Sequence, residues 1–428
     1  MKYEDARIRD MNIKTLIKGI SNCMCGKDHK CPIDYVIIGK DILGSLTDIC
    51  EKYRSILMVS DQNTYRVCGG KVAGILGSKI TTSIMFETGD TPLIPNEEAI
   101  GEIHARCRDD VDLILGVGSG VINDLCKIVS FEHKVPYYIV ATATSMDGYA
   151  SVGSALILRG MKVTLNAAPP KAIIADTTVL KDAPMDMIQA GYGDIVGKYS
   201  CLNDWKLSAL INDEYFCQKI YDLTCETADR VKTLAEDVVK RDEEAIGTLM
   251  EALVVVGIAM AFVGNSRPAS GSEHHLSHYF EITGILTEKP YLTHGIDVLY
   301  SAVLTAKIRE QMIASVPERC EFDENEWERE MRRIYLSSAD EVIALQKKLG
   351  WYWKNNIEKV LPKWDAIREL LSEAPTEAEM LQMVEAVGMD YQEFIDLYGQ
   401  DKINDGILYA KDLKDRYSVL WLYYEFFR

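Results

Sequence analysis

The chain has 428 residues, enough for two or three domains, with 47% hydrophobic and 26% charged residues, a balance that supports a sizeable core. Its 47 Lys and Arg against 65 Asp and Glu leave a net charge of −18, which repels phosphate backbones and argues against nucleic acid or an anionic membrane as partner. The opening MKYEDARIRD lacks the apolar stretch of a secretory signal, and no run reads as the roughly 18 apolar residues of a membrane helix, so the expectation is a cytoplasmic protein with no integral membrane part.

In chain order, YVIIG (35–39), SILMVSD (55–61), SIMFETG (83–89), DLILGVG (112–118) and YYIVATAT (137–144) read as buried strands. Helical stretches such as ILGSLTDICEKY and PNEEAIGEIHARC separate them, which predicts a parallel sheet with crossover helices. SALILRG-MKVTL (154–165) reads as a hairpin with a central glycine, and KAIIADTTVL (171–180) as a last strand. Beyond about residue 183 long amphipathic runs take over, including DEEAIGTLMEALVVVGIAMAFVG and WEREMRRIYLSSADEVIALQKKL. The expected fold class is therefore α/β plus all-α: a Rossmann-like dinucleotide-binding domain over 1–183, an all-helical metal- and substrate-binding domain over 184–428, and a ligand cleft between them. The aromatic YSVLWLYYEFF near the C-terminus is too short to span a membrane and reads as core or dimer surface.

Gly116-Val117-Gly118-Ser119-Gly120 follows a strand and precedes the helical VINDLCKIVSFE. Such a loop can cradle a phosphate, because glycines let backbone N–H groups approach an anion and a helix N-terminus adds partial positive charge. It also fits a tight strand-to-helix turn without ligand. Asp124 and Lys127 lie on the first turns of that helix. Asp61 closes the second strand, either as a ribose-binding carboxylate that favours NAD(H) over NADP(H) or as a turn cap.

Four of the seven histidines fall within 21 residues: His274, His275, His278 and His294. His274 and His278 stand at i and i+4 on one helical face, and Asp194 supplies an upstream carboxylate. One Asp with two or three His suits Zn²⁺, Ni²⁺ or Fe²⁺ with an open position; the plain alternative is surface or interface histidines. His29, His104 and His133 read as ordinary. The 11 cysteines read as reduced thiols. Cys23, Cys25 and His29, with Cys31 beyond, could bind zinc, but their spacing matches no standard finger and the segment reads as a loop.

The motifs GVGSGVINDLCK, ATATSMDGYASVGSA, GYGDIVGKYSCLNDW, SRPASGSEHHLSH and LTHG, over roughly residues 20 to 310, resemble the superfamily of iron-containing alcohol dehydrogenases, glycerol dehydrogenase and dehydroquinate synthase. Within it the chain is most similar to the sn-glycerol-1-phosphate dehydrogenase family. The resemblance implies metal ligation by Asp194, His274 and His294, and substrate contacts and catalysis by Asp147, His278 and Asp194. It implies cofactor contacts from Gly118, Ser119 and Gly120 through Asp124, and from Thr142, Ser145 and Ser151. His275 is no ligand in that pattern, and Ser119 replaces the middle of three glycines. The implied reaction is reversible, NAD(P)H-linked reduction of dihydroxyacetone phosphate to sn-glycerol 1-phosphate, a phospholipid precursor, with one divalent ion and a homodimer expected. Lys198 and Arg267 are the candidate phosphate partners. A glycerol or alcohol dehydrogenase, a dehydroquinate synthase-like cyclase and a relative without turnover remain the rival readings.

Overall fold

The computed structural model describes residues 13–89, 92–158, 161–354 and 356–428. The opening decapeptide and Gly160 at the hairpin centre lie outside the described residues. The chain forms two compact units, residues 1–191 with 217–266, and residues 192–216 with 267–428. This division differs from a single cut at 183, because a helical segment from the second half of the chain belongs to the first unit.

Among the described residues the first unit carries eight strands: β1 (Tyr35–Gly39), β2 (Ile56–Asp61), β3 (Ile80–Phe86), β4 (Leu113–Gly118), β5 (Tyr137–Ala141), β6 (Gly153–Leu158), β7 (Met161–Asn166) and β8 (Ala172–Asp176). Six form a parallel sheet in the order β1-β8-β5-β4-β2-β3, while β6 and β7 pair as an antiparallel hairpin. The central strands LILGVG, YYIVA and AIIAD are buried at every residue, as a parallel sheet covered on both faces requires. Edge strand β3 begins earlier than its apolar SIMF suggests, since Ile80 pairs with Ile56 and Thr82 with Leu57 on β2, with Thr81 bulged between them. The last predicted strand stops at Asp176, whose carboxylate accepts from the Thr178 N–H and turns Thr177–Leu180 helical.

Helices of eight residues or more are numbered in chain order. In the first unit α1 is Glu97–Arg106 and α2 is Gly120–His133, and α3 (Met185–Val196) contains the division at 191. The inserted segment supplies α5 (Gln218–Lys232) and α6 (Glu243–Val263), following α4 (Lys198–Asn212) in the chain. By length and composition α6 could cross a membrane, which corrects the expectation that no run reaches that length. Most of it is buried inside the unit, and Gly257 shows why it is a core helix. A Cβ there would stand 2.8 Å from the Asp147 carbonyl oxygen and 2.8 Å from Ala150 Cβ, so a side chain would push the helix off that turn.

The second unit contains α4, α7 (Ser272–Thr287), α8 (His294–Ile313), α9 (Glu324–Tyr335), α10 (Ala339–Leu349), α11 (Trp364–Leu371), α12 (Glu377–Ala386), α13 (Tyr391–Tyr409) and α14 (Val419–Phe426). The WEREMRRIYLSSADEVIALQKKL run is two helices, broken at Leu336, whose φ is 46°. The aromatic tail is α14, with Leu420 and Trp421 fully buried in the core.

Candidate functional site

The chain crosses from one side of β2 to the other between β3 and β4, so β2 and β4 flank the topological switch point of the sheet. In open α/β sheets ligands bind beyond the carboxyl ends of the strands at such a point. Asp61 and Gly118 are those ends. Gly118 has no room for a side chain, because a Cβ would lie 2.6 Å from Ile122 Cβ. Ser119 caps α2 with φ −103°, outside the left-handed region that favours glycine, so replacing a glycine there adds no strain of that kind. The first intrahelical bond is Asn123 N to Ser119 O, leaving the N–H groups of Gly120 to Ile122 without partners in the helix ladder. With the helix dipole behind them they could hold an anion.

Asp124 and Lys127 turn inward. The Lys127 ammonium donates to Gly148 O (2.9 Å), Ser151 Oγ (3.1 Å) and Gly153 O (2.8 Å), which occupies all three of its N–H bonds. It also lies 3.5 Å from Asp124 Oδ1, while Asp124 Oδ2 accepts from the Ala155 N–H. Burial lowers the lysine and raises the aspartate from their ordinary values, with each opposing that shift in the other. This buried pair fixes the turn 147–151 and the β6–β7 hairpin onto α2. Thr142 N donates to Gly118 O, the Tyr149 hydroxyl donates to Ala143 O and Ser145 bonds the same hydroxyl, so the ATATSMDGYAS segment is tied to the glycine loop. Asp147 opens the short turn Asp147–Ala150 and is buried. Gly191 supports the segment from α3, where a Cβ would sit 1.8 Å from Thr144 O. Asp61 is a capping residue, its Oδ1 accepting from the Asn63 and Thr64 N–H groups at 2.8 Å each.

In the second unit the ligand atoms of Asp194, His274 and His294 all lie within 4.8 Å of one another. Close helix packing produces this. Gly193 and Gly197 leave space for α8: a Cβ on Gly193 would meet Gly295 O at 2.4 Å, and one on Gly197 would meet Val298 Cγ1 at 2.6 Å. Gly271 does the same before α7, where a Cβ would stand 2.6 Å from Cys201 Cα. Asp204 then holds two helix starts, its Oδ2 accepting from Ser272 N and its Oδ1 from Val419 N, each at 2.6 Å. The His278 ring lies 5.4 Å from that of His294 and 6.2 Å from that of His274. His275 is fully buried and outside the ligand set.

The imidazoles are oriented for ligation. Glu273 Oε1 accepts from His274 Nδ1 at 2.6 Å, which leaves Nε2 facing Asp194 Oδ1 at 3.6 Å. Ser277 Oγ lies 3.3 Å from His294 Nδ1 and donates to the His294 carbonyl. Burial, then the Lys198 charge, holds His274 well below the ordinary histidine value and therefore neutral. Burial, the largest single effect, raises the Asp194 carboxyl, but the Lys198 ammonium at 2.7 Å together with His274 and His294 outweighs it and holds the group at about 2. A carboxylate and two imidazoles on a wall of fixed helices fit a divalent ion of the Zn²⁺, Ni²⁺ or Fe²⁺ type.

Of the two cations proposed for phosphate, Lys198 is fully buried between Asp194 and Ala269 O, and Arg267 grips Glu214 through Nε (2.8 Å) and Nη2 (2.6 Å). Lys414 and Arg416, not singled out from the sequence, add positive charge that lowers the His274 and His275 imidazoles, and Arg416 also donates to Ser270 O at 2.9 Å. They lie just before α14, where no motif marks them.

An iron-containing alcohol dehydrogenase family model matches residues 37–184. The glycerol-1-phosphate dehydrogenase [NAD(P)+] of Halalkalibacterium halodurans is 34% identical over 294 residues, 67% of this chain and 74% of that protein. The Geobacillus thermodenitrificans protein of the same name is 32% identical over 78% of this chain and 83% of its own length. Among solved structures, maleylacetate reductase from Agrobacterium tumefaciens shares the fold, with a TM-score of 0.59 at 12% identity, covering 90% of this chain and 91% of that one. The chain belongs to the glycerol-1-phosphate dehydrogenase [NAD(P)+] family of the iron-containing alcohol dehydrogenases.

Proposed function

We propose that the chain reduces dihydroxyacetone phosphate to sn-glycerol 1-phosphate, reversibly and with NADH or NADPH, as a cytoplasmic enzyme that assembles as a homodimer. Family membership carries the oxidoreductase assignment; the observation that carries the chemistry is the convergence of Asp194, His274 and His294. The names of the relatives do not favour the glycerol dehydrogenase or cyclase readings.

Asp194, His274 and His294 would hold one divalent ion, which when bound supplies Lewis acidity toward a carbonyl oxygen. The nicotinamide cofactor supplies the hydride. Glu273 and Ser277 keep each ligand imidazole in one tautomer and one orientation. Gly118 to Gly120 present backbone N–H groups to the cofactor pyrophosphate, with Thr142, Ser145 and Ser151 completing the contacts on that unit. Asp124 and Lys127 act as positioning residues that keep those loops in place. Asp61, while capping its turn, retains a second carboxylate oxygen for a ribose hydroxyl, which favours NAD(H). His278, beside His274 and His294, and Asp147 are the groups proposed to contact substrate and hand over the proton. Lys414 and Arg416 are proposed as the cations for the substrate phosphate. His274→Ala tests the reading: the metal equivalent held with Asp194 and His294 and the activity should disappear together with the fold intact, and a fully active variant would overturn the metal assignment.

A further inference from the structure

The first unit contains a second group of metal-ligating side chains, unrelated to the one already described. Cys23, Cys25, His29 and Cys217 bring three sulfurs and one ring nitrogen within 4.8 Å of one another. Cys217 reaches the others across 188 residues of sequence from His29, which is why spacing alone matched no finger. Cys31, the next cysteine along, is not a member.

The separations carry a coordination geometry. Zinc bonds of about 2.3 Å to sulfur and about 2.0 Å to nitrogen span a tetrahedron with edges of about 3.8 Å between sulfurs and about 3.5 Å from sulfur to nitrogen. Here Cys23 Sγ and Cys217 Sγ are 3.7 Å apart, and His29 Nε2 is 3.4 Å from Cys25 Sγ and 3.5 Å from Cys217 Sγ.

The surroundings are built for a ligand set. The buried His29 donates through Nδ1 to Phe262 O at 3.0 Å, which fixes the tautomer and leaves the Nε2 lone pair toward the sulfurs. An antiparallel bridge between Ile20 and His29 closes the loop, and Gly26, with φ 83°, donates to Cys23 O in the turn that brings Cys25 round. Gly19 is required beneath it, since a Cβ would stand 2.5 Å from His29 O. Cys217 sits at the N-cap of α5, where its sulfur takes a backbone hydrogen bond at Ile220.

We propose that Cys23, Cys25, His29 and Cys217 form a closed, tetrahedral Cys₃His site for a structural Zn²⁺ that clamps residues 20–29 onto α5 and the end of α6. All four positions are filled by protein, so the site offers no place for substrate and its role is stability.

The test is Co²⁺ substitution of the full chain, read by absorption. Thiolate ligands give an intense sulfur-to-cobalt charge-transfer band in the near ultraviolet, which an Asp/His₂ set cannot produce. The band should appear in the wild type and in His274→Ala, and disappear in Cys23→Ser and His29→Gln. Elemental analysis of protein purified without chelator should show one equivalent of zinc lost in each of those two variants, with a lower Tm. A cobalt protein without the band, or a Cys23–Cys217 disulfide in the native protein by non-reducing mass spectrometry, would overturn the proposal. Because His274→Ala keeps the band, failure of the catalytic reading and failure of this one are separate results.

Discussion

Glu273 Oε1 stands 2.6 Å from His274 Nδ1, so a fully buried carboxylate sets the tautomer of the neighbouring imidazole. The same oxygen accepts from the Gly271 N–H at 2.9 Å, which anchors it to the start of α7. A ligand histidine whose second nitrogen is held this way is both better oriented and more basic. Glu273→Gln should keep the fold and lower metal affinity roughly 10- to 100-fold. Metal titration of the purified variant checks this, and an unchanged affinity would remove Glu273 from the site.

Lys127 offers a different kind of test. Its ammonium is buried and bonded to two carbonyls and the Ser151 hydroxyl while facing Asp124. Lys127→Met leaves the Asp124 carboxylate buried without its partner, which costs about 3–5 kcal/mol. Denaturant unfolding should register that loss, and KM for the nicotinamide cofactor should rise with the loosened 147–151 turn. Wild-type stability in the variant would show that the pair contributes little.

The phosphate assignment predicts a split between two substrates. Arg416→Ala or Lys414→Ala should raise KM for dihydroxyacetone phosphate about 10- to 100-fold, the effect of losing a charged hydrogen bond of about 1.5–3 kcal/mol. Turnover of unphosphorylated dihydroxyacetone, however slow, should not change. Equal effects on both ketones would place these residues in the scaffold instead.

Stability should also carry a pH signature from Glu425. Burial pushes this carboxyl up to about 7, against the opposing effects of Tyr417, Asn356, Lys411 and Lys354. Its folded value lies above its unfolded one, so between about 4.5 and 7 the native state binds more protons than the unfolded chain. The stabilisation is fully present below that window and is lost as pH rises through it. Glu425→Gln should flatten this part of the stability–pH curve; an identical slope in the variant would contradict the assignment.

The sheet was legible because its central strands are continuous runs of mostly apolar residues, and β1, β2, β4 and β5 fall where those runs lie. Leu336 was not, since a leucine with positive φ carries none of the glycine or proline signal that marks a break. The metal ligands were readable from histidine clustering and the family motifs. Glu273, Asp204 and Gly271 were not assigned, because their roles depend on α4, α7 and α14 meeting in space. The placement of 217–266 in the first unit was equally hidden: α6 reads as one more amphipathic helix until Gly257 is seen against Ala150. Cys217 stayed hidden for the same reason.

The central claim is metal-dependent reduction of a phosphorylated ketone, and NADH absorbance measures it directly. Metal-depleted protein would receive Zn²⁺, Ni²⁺ or Fe²⁺ separately, with dihydroxyacetone phosphate or dihydroxyacetone as substrate. The account predicts fast NADH oxidation with the phosphate alone, and only after an ion is restored. Turnover of the unphosphorylated ketone alone, or the same rate without metal, would contradict it.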